Sequence, residues 1–155
     1  MTAMTTRTEH RPTPGPSISF ITLGVADLSR SRAFYERLGF REHARSNEHV
    51  AFYDLGGQVL ALYPRIALAE DAGVDPAPPE SGIDFSLSRN VAAESDVQAF
   101  LDRAEEAGGR ITRKASPPPW GGLRGYFSDP DGFAWEIAWN PVMRLDVEGR
   151  IHFND

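Results

Sequence analysis

The sequence predicts an α+β fold: two βαβββ modules whose curved mixed sheets surround a central cavity. Three observations predict it. The order strand, helix, strand, strand, strand can be read from residues 17–64 and again from 83–141. Matching positions in the two copies carry matching residue types. Each copy also has an alternating apolar sheet face and one amphipathic helix to cover it, which leaves the opposite face free.

The first strand is Ser17–Val25, where Ile21, Leu23 and Val25 alternate with Phe20, Thr22 and Gly24. Asp27 or Ser29 can cap the following helix, because a short oxygen side chain accepts the free N–H groups of a first turn. Leu28, Phe34, Tyr35 and Leu38 recur at helical spacing, and Gly39 supplies the stop. Three strands are expected next, Phe40–Arg45, His49–Leu55 and Gln58–Tyr63, with Gly56-Gly57 turning the last two. Residues 65–82 form a linker in which Ile66–Ala72 suits a short helix and the Pro-rich end is extended. Module two repeats the order, beginning with strand Ile83–Val91. Its helix is capped by Ser95, carries Val97, Phe100, Leu101 and Ala107, and stops at Gly108-Gly109. Strands Arg110–Ala115, Leu123–Ser128 and Phe133–Trp139 follow. Asp129-Pro130-Asp131-Gly132 joins the last two: proline presets φ, glycine takes a positive φ, and aspartate bonds back to the backbone. Residues 1–16, polar and rich in Thr and Pro, are expected to be a flexible tail, and 142–155 a C-terminal extension with a hairpin near Glu148-Gly149.

The repeat can be checked residue by residue. At one constant offset Phe52, Asp54, Gly57, Leu60 and Leu62 fall on Phe127, Asp129, Gly132, Trp135 and Ile137. At a shorter offset Leu28, Leu38 and Gly39 fall on Val97, Ala107 and Gly108, and at a shorter one still Ile21 and Leu23 fall on Phe85 and Leu87. The offset lengthens along the chain, as it must if the second copy has longer loops.

Composition narrows the function classes. A net charge of −6 argues against nucleic acid, since phosphate binding needs a basic face. The absence of cysteine removes disulfides, thiolate metal sites and a cysteine nucleophile. No apolar run approaches the roughly 18 residues of a membrane span, and the first residues lack the apolar stretch of a signal peptide. No membrane partner is therefore expected, and the cytoplasm is the expected location.

Two stretches carry a family resemblance. Val25-Ala26-Asp27-Leu28 with Ser31, Phe34-Tyr35 and Leu38-Gly39-Phe40 resembles the opening module of the vicinal-oxygen-chelate superfamily, which holds glyoxalases, bleomycin-resistance proteins and extradiol dioxygenases. Gly125-Tyr126-Phe127-Ser128-Asp129-Pro130-Asp131-Gly132, followed by Trp135-Glu136, is similar to its second-module signature. The resemblance runs from Ile18 to Pro141 and implies the fold. It does not choose among the lyases, isomerases, dioxygenases and drug-binding proteins that share it.

The resemblance also implies four cavity-facing ligand positions, one on the first and one on the last strand of each module. In metal-dependent members these hold a divalent ion that grips two neighbouring substrate oxygens. By strand parity the positions here are Phe20, Ala61, Asp84 and Glu136. Phe and Ala have no electron pair to donate, so only Asp84 and Glu136 could ligate. A one-residue slip would put Phe85 in place of Asp84. Two carboxylates can hold Mg²⁺ or Mn²⁺ with water filling the remaining positions, but they make a poor zinc or iron site without imidazole. No cofactor is expected, with a divalent metal ion as the alternative.

Phe20, Thr22, Tyr63, Asp84, Ser86 and Glu136 share the cavity-facing parity and form the expected ligand-binding set. Trp120 joins them, because Pro117-Pro118-Pro119 and Gly121-Gly122 can hold its ring over a cavity mouth. Trp120 could equally cap the core or a dimer seam. Glu136 is the one candidate catalytic base; it could also be a structural carboxylate paired with Arg89 or Arg124. Arg89 suits either the pocket or a strand end at the surface. The first functional reading is a metal-free protein that binds a small amphipathic or aromatic molecule, with the cavity completed in a homodimer, as is common in the family. The second is a metal-assisted or Glu-based lyase, isomerase or dioxygenase-type enzyme of the glyoxalase-like kind, acting on a carbonyl or diol through Glu136 with or without Asp84. A third is a partner-binding protein with a vestigial cavity.

Overall fold

The computed structural model describes Ile18, residues 20–76 and residues 86–153. The expected tail at 1–16, the Pro-rich end of the linker and Asp84 lie outside the described residues. Module one runs β1 (Phe20–Val25), α1 (Leu28–Arg37), β2 (Ala51–Asp54) and β3 (Val59–Pro64). Helix α2 (Arg65–Ala72) occupies the linker where a short helix is expected. Module two runs β4 (Leu87–Asn90), α3 (Glu94–Glu106), β5 (Arg110–Ser116), β6 (Leu123–Ser128) and β7 (Ala134–Trp139). Strands β8 (Met143–Leu145) and β9 (Ile151–Phe153) form the C-terminal hairpin, with Gly149 at φ 79° in its turn.

The sheets are mixed, as expected. Module one has the order β1-β3-β2 and module two β4-β7-β6-β5. In each, the first strand lies parallel to the last and the hairpin strands are antiparallel. A parallel neighbour needs a crossover, and α1 and α3 supply it in their respective modules.

Two expectations are corrected. Phe40–Arg45 does not form a strand: only Glu42 bridges to Tyr53. Its polar residues bond locally instead. The Arg45 N–H donates to His43 Nδ1, the Ser46 N–H to the His43 carbonyl, and the Phe52 N–H to Ser46 Oγ. Side chains that satisfy nearby backbone groups compete with a strand ladder. Ser95 does not cap α3. The cap is Ala93, without a side-chain bond, and Ser95 lies inside the first turn. Glu94 and Asp96 there offset the positive end of the helix dipole. Asp27 does cap α1, accepting from the Arg30 N–H at 3.0 Å, and Gly39 past its end takes φ 99°.

The helix-facing sides of both sheets merge into one core. Leu23, Val25, Leu60 and Leu62 of module one pack in the same buried cluster as Phe127, Trp135 and Ile137 of module two, with Phe34, Tyr35, Val97, Phe100 and Leu101 from the helices. The Asp129–Gly132 turn ties the modules together through polar contacts. Tyr35 of α1 donates to Asp129 Oδ2 at 2.8 Å, and Asp131 accepts from the Ser31 hydroxyl and the Ala26 N–H, each at 2.9 Å. These two aspartates do more than the expected turn chemistry: they fasten the start of the module-one helix.

Gly122 permits a close approach in the loop before β6. Its φ is +85°, and a Cβ there would stand 2.2 Å from the Trp139 carbonyl oxygen. Gly121 has φ +87° with open space around it. Gly121→Ala is therefore expected to cost about 1–2 kcal/mol, the left-handed penalty alone. Gly122→Ala should cost at least about 1 kcal/mol more, because backbone must move. Urea unfolding of both variants measures the gap; equal losses would mean that the loop relaxes freely.

Candidate functional site

The strand residues that do not face the core line up on the opposite side of each sheet. In module one these are Phe20 and Thr22 of β1, Phe52 and Asp54 of β2, and Val59, Ala61 and Tyr63 of β3. The register sets Phe20 beside Val59, Thr22 beside Ala61, and Ala61 beside Phe52. Phe20 and Phe52 meet edge to face with centroids 6.1 Å apart, and Phe20 is 56% exposed. They floor a trough of about 640 Å³ whose other walls include Val59 and Gly57, with His43, Arg45, Asp54 and Gln58 as its polar lining. Helix α2 crosses the far end of this face: Arg65 and Leu68 would stand 3.3 Å from a Cβ on Gly24, so a larger residue there would press on the helix. Thr22 and Tyr63 lie between the trough and that helix.

In module two the free face carries Glu136 of β7, Tyr126 and Arg124 of β6, and Ser88 of β4. Ser88 and Tyr126 are the register neighbours of Glu136 on its two sides. The Tyr126 hydroxyl donates to Glu136 Oε2. That bond to the carboxylate, and then burial, push the Tyr126 phenol above its ordinary value. The arginine partners expected for Glu136 are turned elsewhere. Arg124 donates to the carbonyl and hydroxyl of Ser116 at 3.1 and 2.8 Å. Arg89 lies on the helix side of its strand, over the Phe100 ring.

The structure thus brings Phe20, Thr22 and Tyr63 onto one face and places Glu136 on the other sheet. Ser86 is exposed just before β4. Trp120 is 48% exposed, with its ring folded back against Gly122. Neither Glu136 nor Trp120 lines the trough. Sequence reading missed Phe52 and Tyr126, although hairpin register could have found both. Counting back from the Gly56-Gly57 turn sets Phe52 opposite Ala61, and counting across Asp129–Gly132 sets Tyr126 opposite Glu136. His43 and Arg45 had no such signal, because their stretch is irregular.

The four family ligand positions can be judged by their donors. Phe20 and Ala61 have no lone pair to donate, Asp84 lies outside the described residues, and Glu136 accepts a hydrogen bond from the Tyr126 hydroxyl. Among the described residues no three His, Asp or Glu side chains group together as a metal set. The donors present do not fit a four-ligand divalent centre. Among the described residues no helix is long and apolar enough to cross a membrane.

Comparison with known proteins agrees with this architecture. A glyoxalase-related enzyme from Fulvimarina pelagi is 41% identical, the match covering 90% of this chain and 99% of that one, with a TM-score of 0.81. A glyoxalase/bleomycin resistance protein/dioxygenase from Nocardioides is 25% identical over 82% of this chain and 85% of that one, TM-score 0.68. A lactoylglutathione lyase from Agrobacterium tumefaciens shares the fold at 21% identity, covering 82% of this chain and 96% of that one, TM-score 0.60. Among curated proteins no sequence matches. The family model described as Glyoxalase/Bleomycin resistance protein/Dioxygenase superfamily matches residues 17–137, so the chain, with its two sheet modules, belongs to that superfamily.

Proposed function

We propose that the protein binds a small amphipathic or aromatic molecule on the free sheet face of module one, without a metal ion. The carrying observation is the Phe20–Phe52 pair, an exposed aromatic floor with polar groups around it. An apolar floor with a few convergent polar groups is the usual make-up of a small-molecule site. Phe20 stands where the family's metal-dependent members place a ligand, so the position that would grip an oxygen pair instead offers a ring. Asp54 and the acidic balance of the chain favour a cationic head group. A second copy of the chain would close the open face, which makes a homodimer the working assembly.

A second reading has its own support. Tyr126 and Glu136 form a bonded phenol–carboxylate pair on the module-two face, and Glu136 could serve there as a base on a carbonyl or diol substrate.

The probe for the first reading is 1-naphthylmethylamine, followed by thermal shift and titration calorimetry. Saturable binding is expected, and Phe20→Ser should weaken it about tenfold through lost ring contact. Undiminished binding by that variant would place the ligand elsewhere. One divalent ion per chain in protein purified without chelator, lost in Glu136→Ala, would hand the function to the enzyme reading.

A further inference from the structure

A second cavity, of about 1380 Å³, adjoins the trough across the Asp54–Gln58 turn. It lies between the Asp54–Gln58 turn, β4, the exposed side of α3 and the C-terminal hairpin. Its apolar part includes Phe40, Phe100 and Trp135. Two arginines also line it. The Arg89 guanidinium stands 5.4 Å from the Phe100 ring centroid and that of Arg103 stands 4.9 Å from the same centroid. Both guanidiniums thus pack on one ring, and the charge of Arg103 bears on Arg89.

Of the carboxylates lining the crevice, Glu148 pairs with Arg150 of the hairpin, and Asp54 lies on the turn at its border with the trough. Asp96 sits in the first turn of α3, about 10 Å along the helix axis from Arg103. Among the described residues Arg30, Arg32 and Arg150 each have a carboxylate partner, whereas neither Arg89 nor Arg103 has one. Burial and then the charge of Arg103 hold the Arg89 guanidinium below its ordinary pKa, which marks the cost of the arrangement. The ring they share offsets part of that cost. An oxyanion bridging the two forks would remove the rest, because a planar guanidinium matches a carboxylate or phosphate in shape as well as charge.

We infer that this crevice is a binding site for a small anion, with Arg89 and Arg103 bridging its carboxylate or phosphate group and the half-buried Phe40 and Val91 beside its apolar body. The arginine pair is not part of the trough at Phe20, although the Asp54–Gln58 turn borders both, and the ligand has the opposite charge to the one proposed there. Its failure and that of the first proposal are therefore distinguishable.

Two probes separate the sources of the oxyanion: inorganic phosphate, and benzoate, which adds a ring. Benzoate is expected to bind saturably at constant ionic strength and to raise Tm by about 2–4 °C at about five times its Kd. Stronger stabilisation by phosphate than by benzoate would assign the site to a phosphate head and overturn the apolar-body part of the inference. Arg89→Gln and Arg103→Gln should each weaken benzoate at least tenfold. Phe20→Ser should leave it unchanged, since Phe20 does not line the crevice. Far-ultraviolet circular dichroism without ligand guards against misfolded variants: both should keep the native spectrum. Benzoate binding that both glutamine variants retain would overturn the inference.

Discussion

Phe127→Ala is expected to lower stability by about 3–5 kcal/mol, the range for emptying a fully buried aromatic site. A domain of this size has about 5–15 kcal/mol in total, so the variant should be folded but sharply weakened. The reason lies in what surrounds the ring. Phe127 is fully buried in β6 and stacks on Trp135 of β7, with centroids 6.2 Å apart and planes 1° apart. Phe100 of α3 and Phe34 of α1 each meet it at 6.3 Å. One ring therefore touches both module-two strands of the hairpin, the helix of its own module and the helix of the other. Truncation removes contacts that no single rotamer change can refill. Because both modules rest on it, unfolding should remain one cooperative transition at lower urea, followed by tryptophan fluorescence and circular dichroism together. Two separated transitions would show that the modules are independently stable, and a loss below about 1 kcal/mol would show a core able to collapse. Phe20→Ala is the control: that ring is exposed, and its removal should change stability by less than about 0.5 kcal/mol.

That Phe127 belongs to the core was legible in the sequence, because alternation along Leu123–Ser128 puts it on one side with Gly125, and the repeat pairs it with Phe52. The repeat misleads there in one respect. Phe52 lies on the free face of its sheet, floors the trough and packs against Phe20, whereas Phe127 is central to the core. Offset matching aligns residue types but says nothing of which face a strand turns inward. Burial parity does, and it placed Phe20, Thr22 and Tyr63 on the free face together. Strand ends were harder to read. Pattern marked Phe40–Arg45 as a strand, but His43 and Ser46 satisfy the backbone locally. Glu136 was legible as a free-face carboxylate, while its partner was not. Choosing among Arg89, Arg124 and Tyr126 needs side-chain direction, and periodicity carries none: Arg124 turns to Ser116 and Arg89 to Phe100. Helix capping shows the same limit. Asp27 caps because its oxygen can reach the Arg30 N–H, whereas α3 starts one residue ahead of Ser95, where the dipole is offset by Glu94 and Asp96.

Asp129→Ala should cost about 3 kcal/mol, and Tyr35→Phe about 1–2 kcal/mol. The difference follows from how many donors each change strands. Asp129 is 4% exposed. Its Oδ1 accepts the N–H groups of Asp131 and Phe133, both at 2.9 Å, and its Oδ2 accepts the Tyr35 hydroxyl at 2.8 Å. Tyr35 in turn accepts from Trp135 Nε1 at 3.2 Å. Alanine at 129 leaves three donors without that acceptor, whereas phenylalanine at 35 leaves one donor and one lone pair. The groups form one relay, so the double variant should lose less than the sum of the two; strict additivity would mean that the relay is not coupled. The pH dependence separates charge from hydrogen bonding. Burial raises the Asp129 pKa from its ordinary 3.8, and the bonds from Tyr35, Phe133 and Asp131 only partly oppose it. The native state therefore holds this proton to higher pH than the unfolded chain does. Between the two values the unfolded state binds fewer protons, so stability falls as pH rises. Burial also pushes the Tyr35 phenol up, as does Asp129 beside it, so the hydroxyl stays a donor across this range. Set against Asp129→Asn, which keeps the shape without the charge, the native protein should lose relative stability from about pH 4 upward and level off above the raised pKa. A relative gain over that window would mean that the three donors outweigh burial. The Asp129–Gly132 turn would then be held to α1 by a charge the core favours rather than one it tolerates.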